Sequence, residues 1–274
     1  MSLHAQGVAV VTGASSGIGA AYAERLARRG YDLTIVDDKR KRLDALAARI
    51  SDDTGRAVEV FVADLGKLED LARIEATLKQ DASVTMLVNN AAIGAVTPLL
   101  QSKAGVMEEM IKLNIVALTR LTCAIAPTFV ARGRGTIINI SSVAAIAPEI
   151  VNGVYGATKA YVLAFSQSLH HELADKGIRV QVVMPGATSI EFCQTAGTPR
   201  ASRPAEEVMP AADVVDAALA GLDVGELVTI PSLREIADWD ALEAARRKLA
   251  PNLSRAHAAA RYRPSTKTDT STRH

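Results

Sequence analysis

The chain has 274 residues, of which 49% are hydrophobic and 22% are charged, as in an ordinary soluble globular protein. Its 31 Lys and Arg residues nearly balance its 30 Asp and Glu residues, so the net charge of +1 provides no overall field that would attract nucleic acid or an anionic membrane. The length suits one large α/β domain or two small ones.

Cysteine content and local composition narrow the setting further. The two cysteines, Cys123 and Cys193, are too few for a disulfide framework, so a reducing, cytoplasmic location is expected. The N-terminus lacks the charged and apolar regions of a signal peptide, and no apolar run reaches the length of a membrane span. His170 and His171 are adjacent and point in different directions on a helix, and no other metal-ligand spacing occurs, so no metal is expected.

The first ninety residues alternate short apolar runs with longer amphipathic stretches. Ile18, Tyr22 and Leu26 recur at a spacing of four, which predicts a helix that stops at Gly30. The predicted strands of this half are residues 8–11, 33–36, 58–63 and 84–88, and the predicted helices are residues 18–29, 43–50 and 68–78.

The second half continues the alternation, with predicted helices over 104–131, 154–173 and 211–222 and predicted strands over 136–140, 178–184 and 227–230. Pro127 is expected to bend or end the first of these helices. Strands that alternate with helices pair in parallel through right-handed crossovers, and their nearly continuous apolar character indicates burial on both faces. The predicted fold is α/β, a three-layer, doubly wound Rossmann fold with a parallel sheet of about seven strands.

No internal repeat or linker divides the pattern, so residues 1–254 are predicted to form a single domain. Residues 188–210 carry Gly, Pro, Ser and charged residues and are expected to form a long loop. Residues 255–274 end in a run rich in Ser and Thr, which predicts a loosely ordered C-terminal tail.

A glycine-rich turn joins the first predicted strand to the first helix. Its residues are Gly13, Ser15, Ser16, Gly17, Ile18 and Gly19, at a spacing different from the common G-x-G-x-x-G. Glycines allow a sharp turn and a close approach of the backbone to a pyrophosphate, which the helix N-terminus attracts. A tight turn without a ligand is the alternative, but the first βα junction of a doubly wound sheet is where dinucleotides bind.

Two acidic residues, Asp37 and Asp38, follow the second predicted strand. An acidic residue here hydrogen-bonds the adenosine 2′-hydroxyl of NAD and repels the 2′-phosphate of NADP. Lys39 and Arg40 lie just beyond and are within reach of a phosphate, but the two carboxylates favour NAD. For Asp38, more than for Asp37, a helix N-cap is the alternative role.

Candidates for proton transfer are Tyr155 and Lys159, four residues apart on one face of a predicted helix. A Tyr hydroxyl has an unperturbed pKa of about 10, and lowering it by about 3 units requires roughly 4 kcal/mol of differential interaction. The Lys159 ammonium, together with a positively charged nicotinamide, favours the phenolate. Ser142, at the end of a predicted strand, is placed to hold a substrate oxygen. Taken alone, the pair of Tyr155 and Lys159 would indicate only two neighbours on a surface helix.

Together these residues resemble the short-chain dehydrogenase/reductase family, in its compact single-domain branch, over roughly residues 6–232. The motifs stand in the family's order: Thr12 to Gly19, Asp64 and Leu65, Asn89-Asn90-Ala91, Asn114, Ser142, Tyr155 with Lys159, and Pro185-Gly186. Each motif is short, but their joint occurrence at family-like spacings makes coincidence very improbable.

The resemblance implies a role for each matching position. Tyr155 would be the general acid/base, Lys159 would lower its pKa and bind the nicotinamide ribose, and Ser142 would orient the reacting oxygen, with Ser141 as the weaker candidate. Asn114 would hold a water that relays protons from Lys159, or would only bend its helix. The remaining implied cofactor contacts are Asp64 and Leu65 at the adenine, Asn90 with Ala91 at the adenosine ribose, and Pro185, Gly186 and Thr188 at the nicotinamide.

Two positions depart from the family pattern. Ala92 stands where Asn-Asn-Ala-Gly is common, which is a mild change. Ile190 occupies the place of a Thr whose hydroxyl meets the nicotinamide carboxamide in many members. Thr188 and Ser189 are the candidates to replace that contact.

The resulting interpretation is an enzyme that transfers hydride reversibly between NAD and a secondary alcohol or ketone. Residues 188–210 correspond to the family's substrate loop, and Cys193 within it is interpreted as a small hydrophobe. Steroid-like, sugar-like and fatty-acyl small molecules stay open as substrates. The alternatives are a 3-oxoacyl reductase that uses NADP and a non-catalytic dinucleotide-binding sensor. The resemblance also implies a homodimer or homotetramer formed through the helices at 104–131 and 154–173.

Overall fold

A computed structural model of the protein describes residues 6–94, 97–151, 153–188 and 208–262. Seven parallel strands form one sheet in the order β3-β2-β1-β4-β5-β6-β7. The strands are β1 (Val8–Thr12), β2 (Asp32–Asp37), β3 (Val58–Val62), β4 (Val84–Asn89), β5 (Gly135–Ile140), β6 (Ile178–Val183) and β7 (Val228–Thr229). The predicted fold class is therefore confirmed.

The described helices are α1 (Gly17–Arg28), α2 (Arg40–Thr54), α3 (Leu68–Gln80), α4 (Ala104–Ile111), α5 (Leu118–Arg132), α6 (Gly153–Leu173), α7 (Ala211–Val224) and α8 (Ile236–Lys248). One buried apolar cluster joins the sheet to α1, α2 and α7, and a second joins it to α3 and α5. The sheet therefore lies between two helical layers, and its strands are apolar along most of their length because both faces are covered.

The order in which strands are added to the sheet reverses between β1 and β4. Strands β2 and β3 lie on one side of β1, and β4 to β7 lie on the other. Val10 of β1 pairs with Thr34 of β2 and with Leu87 of β4. The carboxyl ends of these central strands are thus brought to one edge, where open α/β sheets bind ligands.

Two helix boundaries differ from the sequence prediction. Helix α2 starts at Arg40 and runs to Thr54, where Gly55 adopts the left-handed conformation that ends it. The predicted helix over 104–131 comprises α4, a π-helical segment Lys112–Ala117, and α5. Pro127 does not end it. The helix continues to Arg132 because Phe129, beyond the proline, is fully buried in the core.

The stretch Ala104–Arg132 is 29 residues long and, by length and composition alone, is apolar enough to cross a membrane. The sequence-based expectation that no segment reaches such a length is therefore wrong. Of its most apolar window 44% is buried, and α5 packs against α3, β4 and β5, so part of this apolar character belongs to the core.

The described chain divides into two compact units between Ser232 and Leu233. The first contains the whole sheet, and the second contains α8. This boundary differs from the single domain predicted for residues 1–254, because residues 233–262, the part of this unit that the structure describes, add no strand to the sheet. The predicted tail at 255–274 is described only as far as Tyr262, and the predicted loop at 188–210 only at its two ends.

A chain of buried polar side chains ties the central strands to α5 and α6. Asn89 of β4 donates to Thr122 of α5 at 3.1 Å and to Asn139 of β5 at 2.9 Å. Asn139 in turn donates to Ser166 of α6 at 2.9 Å, and the Ser166 hydroxyl donates to the carbonyl of Val162. All four side chains are buried, so each lost hydrogen bond would leave a polar group without water.

Replacing Ser166 with Ala should lower the free energy of unfolding by about 1–3 kcal/mol, because the amide of Asn139 then loses its partner in a buried environment. Chemical denaturation at a fixed pH measures this change. Ser168→Ala is the matched control on the same helix, since Ser168 is exposed and bonds only Glu172 among the described residues. A loss in the control as large as that in the Ser166 variant would contradict the network's importance.

Candidate active site

The glycine-rich turn follows β1 and leads directly into α1. Gly13 and Gly17 have φ values of 64° and 55°, the left-handed region that glycine adopts without strain. A Cβ atom on Gly19 would lie 2.1 Å from the carbonyl oxygen of Gly13, so no larger residue fits there. The turn is therefore as tight as the sequence predicts.

Two side chains fix this turn to β4. The Thr12 hydroxyl donates to the carbonyl of Val88 at 3.2 Å and accepts the N–H groups of Asn90 and Ala91 at 3.0 and 3.1 Å. The Asn90 amide donates to the carbonyls of Thr12 and Gly13. The side chain of Asn90, singled out for a ribose contact, thus also supports the turn. Thr12 was named as the start of the motif, but its bonding role was not predicted because its partners are more than 70 residues away.

The N-terminus of α1 suits an anion. The Ser16 side chain makes no capping hydrogen bond, and no acidic residue lies in the first turn. The backbone N–H groups and the positive end of the helix dipole are then left to a bound phosphate. Ile18 is half-buried against the core, and a contact of its side chain with the cofactor stays a prediction. Backbone donors in a tight glycine turn fit the pyrophosphate of a dinucleotide.

Asp37, the last residue of β2, points back toward this turn. Its carboxylate accepts the N–H of Ser15 at 3.3 Å and that of Lys39 at 3.2 Å. Burial, followed by a hydrogen bond shared with Asp38, raises the pKa of Asp37, while the same hydrogen bond and Lys39 lower the pKa of Asp38. The Lys39 ammonium lies 3.0 Å from Asp38 in an exposed ion pair. The region therefore holds two carboxylates with one cation bound to the outer one.

The predicted adenine contacts follow β3. Leu65 is buried in the core, whereas Asp64 caps its own loop by accepting the N–H of Gly66 at 3.0 Å. The Asp64 backbone N–H donates to Asp70 at 2.9 Å. Any contact of Asp64 with adenine would therefore be made from a loop whose conformation these two hydrogen bonds fix.

Tyr155 and Lys159 lie on the buried face of α6. The Lys159 ammonium nitrogen is 5.8 Å from the centre of the Tyr155 ring and donates to the carbonyl of Ile140, at the end of β5, at 3.0 Å. Lys159 is almost completely buried, and this desolvation lowers its pKa from 10.5 to about 8. The structure thus brings together the two residues that the motif predicts, with the cation in contact with the strand rather than with solvent.

The two serines after β5 have different partners. Ser142 accepts the N–H of Ala144 at 3.2 Å and contacts the carbonyl oxygen of Pro185 at 3.4 Å. Ser141 donates to the backbone carbonyl of Lys159 at 2.7 Å. Ala144 also packs in one cluster with Tyr155, so Ser142 lies on the same side of the site as the phenol. Ser141 instead fixes α6 to the strand, a role that the sequence did not reveal.

Asn114 lies in the π-helical segment, a feature common at functional sites. Its amide donates to the carbonyl of Ile93 at 2.9 Å and to the Thr158 hydroxyl at 3.1 Å, and its oxygen accepts the N–H of Ile93. Thr158 donates to the carbonyl of Tyr155 at 2.8 Å. The Asn114 side chain therefore links two parts of the site, and the water relay implied by the resemblance stays a prediction.

The segment after β6 approaches Ser142 from the other side. The carbonyl of Pro185 accepts the N–H of Val143 at 3.1 Å, and Gly186 is exposed with open space where a side chain would be. Thr188 is half-buried at the end of the described stretch. Ser189, Ile190 and Cys193 lie outside the described residues, so the replacement of the family's carboxamide contact stays a prediction.

Comparison with known proteins agrees with this geometry. Residues 7–200 match the model of the short chain dehydrogenase family. A very-long-chain 3-oxoacyl-CoA reductase from Anas platyrhynchos is 39% identical over 65% of this chain and 58% of its own length. A human 17-beta-hydroxysteroid dehydrogenase type 3 is 34% identical over 73% of this chain and 64% of its own. The chain thus matches less than two thirds of the length of either relative.

Solved structures match over more of the chain. A short-chain dehydrogenase from Sphingobium yanoikuyae in complex with NADPH is 50% identical, with a TM-score of 0.91 over 94% of this chain and 100% of that one. A bulky-bulky ketone specific alcohol dehydrogenase from Comamonas testosteroni is 44% identical, with a TM-score of 0.87 over 94% and 99%. The chain therefore belongs to the short-chain dehydrogenase family.

Proposed function

We propose that the protein is an NAD-dependent oxidoreductase that interconverts a secondary alcohol and its ketone, with Tyr155 as the general acid/base. The observation that carries this proposal is the buried pairing of Tyr155 with Lys159, together with Ser142, which bonds the N–H of the Ala144 that packs in one cluster with Tyr155. A protein that only binds a dinucleotide has no physical need for Ser142, Tyr155 and Lys159 together. This weighs against the alternative of a non-catalytic sensor.

Each polar side chain of the site has a separate task. In ketone reduction, the Tyr155 hydroxyl donates its proton to the carbonyl oxygen, and in alcohol oxidation the phenolate accepts the hydroxyl proton. The Lys159 ammonium stabilises the phenolate by its charge. Ser142 holds the same substrate oxygen with a hydrogen bond. The protein thus supplies the position of the oxygen and the path of the proton.

The nicotinamide dinucleotide supplies the hydride acceptor or donor when bound. The turn from Gly13 to Gly19 would hold its pyrophosphate, and Asp37 the adenosine ribose. Lys159 would bind the nicotinamide ribose, and the segment from Pro185 to Thr188 would face the nicotinamide. The pyrophosphate assignment rests on the N-terminus of α1, where the Ser16 side chain makes no capping hydrogen bond, and on the absence of space for a side chain at Gly19.

The choice of NAD rests on Asp37. Its carboxylate is bonded to the backbone of the glycine-rich turn, where a 2′-phosphate would meet like charge. NADP is the second candidate, because the relative from Sphingobium yanoikuyae was solved with NADPH and because Lys39 and Arg40 lie next to the two carboxylates. A 3-oxoacyl substrate is likewise a candidate, on the name of the Anas platyrhynchos relative.

Changing Tyr155 to Phe should lower kcat for ketone reduction by about 10²–10⁴-fold, because the ring keeps its packing and loses its proton. The oxidation of NADH and NADPH with a panel of ketones, followed by absorbance, gives the rates, and dinucleotide binding should be unchanged. Tyr161→Phe on the same helix is the matched control, since the Tyr161 hydroxyl bonds Thr119 instead. Full activity in the Tyr155 variant would rule out the proposed general acid.

Replacing Asp37 with Ser should shift the ratio of kcat/KM for NADPH to that for NADH upward by about tenfold or more, because removing about 1.4 kcal/mol of repulsion changes affinity tenfold. Steady-state kinetics with each cofactor measures the ratio. Asp52→Ser, at an exposed position late in α2, controls for the change in net charge. A wild-type preference for NADPH that the Asp37 variant leaves unaltered would overturn the assignment of NAD.

The charge of Lys159 makes the stability of the fold depend on pH. Below pH 8 the folded protein buries a charged ammonium, and this burial is unfavourable. Between pH 8 and 10.5 the folded protein has released that proton while the unfolded chain still holds it. The unfolded state then binds more protons, so the stability contributed by this group rises with pH.

Changing Lys159 to Met should therefore stabilise the protein most below pH 8, and this advantage over the wild type should shrink by about 3 kcal/mol as the pH rises toward 10.5. Denaturant unfolding of both proteins across this range measures the difference, and titrations common to both cancel. A difference that is independent of pH would mean that the lysine is not desolvated as described. The Met variant should also have lost ketone reduction.

A further inference from the structure

The phenol of Tyr155 lies among hydrocarbon side chains. We name this surface the apolar wall, and its members are Ile93, Met107, Met110, Ala144, Val151 and Val154. Met107 and Met110 come from α4, and Ile93 from the chain after β4. Ala144 and Val151 come from the segment that joins Ser142 to α6, and Val154 from the first turn of α6. Ile93, Val151 and Val154 are only partly buried, so the wall keeps surface that is open to a substrate.

The segment that joins Ser142 to α6 is also mostly apolar in sequence. Eight of the nine residues from 143 to 151 are apolar, and Glu149, which is exposed, carries the only charge. Ile146 leaves 43% of its surface exposed. Large apolar residues that face solvent beside catalytic groups mark a binding surface for apolar ligands.

The close packing of Gly156 holds this segment against α6. A Cβ atom at Gly156 would lie 3.3 Å from the Cβ of Pro148, which is tighter than an ordinary contact. The segment and the helix can therefore pack this closely because residue 156 has no side chain. The N–H of Ala144 is also bound by Ser142. The wall is therefore fixed relative to the serine, and its two methionines are buried.

The polar groups near the wall already have partners. Asn114 is bonded to Ile93 and Thr158, and Lys159 to Ile140. The Lys159 ammonium lies 5.8 Å from the centre of the Tyr155 ring, but the six side chains of the wall themselves carry neither a charge nor a hydrogen-bond donor. A carboxylate or a row of hydroxyls placed against the wall would lose its hydration without a replacement bond.

We propose that the wall selects a ketone or secondary alcohol whose carbon carries a bulky, uncharged hydrocarbon group, and that Val151 contributes to this selection. This inference rests on the proposed function and narrows its substrate class. It favours steroid-like and long-chain ketones over sugar-like ones. It also predicts that an anionic group at the far end of the substituent is rejected.

The test compares two ketones of equal length, 2-nonanone and 8-oxononanoate, which differ by a terminal methyl or carboxylate. With the wild-type enzyme and its preferred cofactor, kcat/KM for 2-nonanone should exceed that for 8-oxononanoate by at least about 100-fold, because the wall offers the carboxylate no partner. Val151→Lys should reduce that ratio by about tenfold or more through the new cation. Leu68→Lys, at an exposed position at the start of α3, is the matched control and should leave the ratio unchanged.

The outcomes separate this inference from the proposed function. Turnover of both ketones with similar kcat/KM, or a ratio unaffected by Val151→Lys, overturns the role of the wall and leaves the oxidoreductase proposal intact. If neither ketone is turned over with NADH or NADPH, the proposed oxidoreductase activity is contradicted for these two substrates. Ligand-observed NMR then measures how strongly each ketone binds. Preferential binding of 2-nonanone would still support the wall, and equal binding would overturn it.

Discussion

The arrangement of the site depends on the burial of one cation. Lys159 reaches out of α6 to the carbonyl at the end of β5, and its ammonium lies beside the Tyr155 ring with almost no access to water. Burying a charge is costly unless it is bonded, and here a single carbonyl is its hydrogen-bond partner among the described residues. The cost is visible in the lowered pKa of Lys159, yet at about 8 this pKa still leaves most of the lysine charged at neutral pH. The site therefore keeps a cation where a phenolate would need one.

Hydrogen bonds from the surrounding structure hold α6 at several points and so keep Lys159 in its buried position. Ser141 holds the backbone of Lys159, Asn139 holds Ser166 two turns further along, and Asn114 holds Thr158. These bonds come from β5, from the residue that follows it and from the π-helical segment, and all are buried. Polar networks of this kind specify one arrangement of helix and strand, because any slip would leave several groups unsatisfied at once. The buried hydrogen bonds of the core thus determine the positions of Tyr155 and Lys159.

The sequence predicted the parts of the molecule that depend on local patterns. Apolar runs revealed the strands, the glycines located the tight turn, and the spacing of Tyr155 and Lys159 placed both on one helical face. The bonding roles of Thr12 and Ser141 were not predicted, because their partners lie on other strands and helices. Asn90 was expected at a ribose, and its amide also supports the turn. The boundary at Ser232 could not be read from composition, since no linker-like composition separates β7 from α8, of which Trp239 alone is buried.

The proposed chemistry requires that the Lys159 ammonium is buried beside Tyr155. Specific ¹⁵N labelling of the lysine side chains, with the signal of Lys159 assigned by its loss in the Met variant, would follow the titration of this one ammonium by NMR in the free protein. The account predicts an apparent pKa near 8, as burial beside Tyr155 requires. A pKa at or above the 10.5 of an ordinary lysine would show that the cation is solvated, and would contradict the buried pairing on which the proposed chemistry rests.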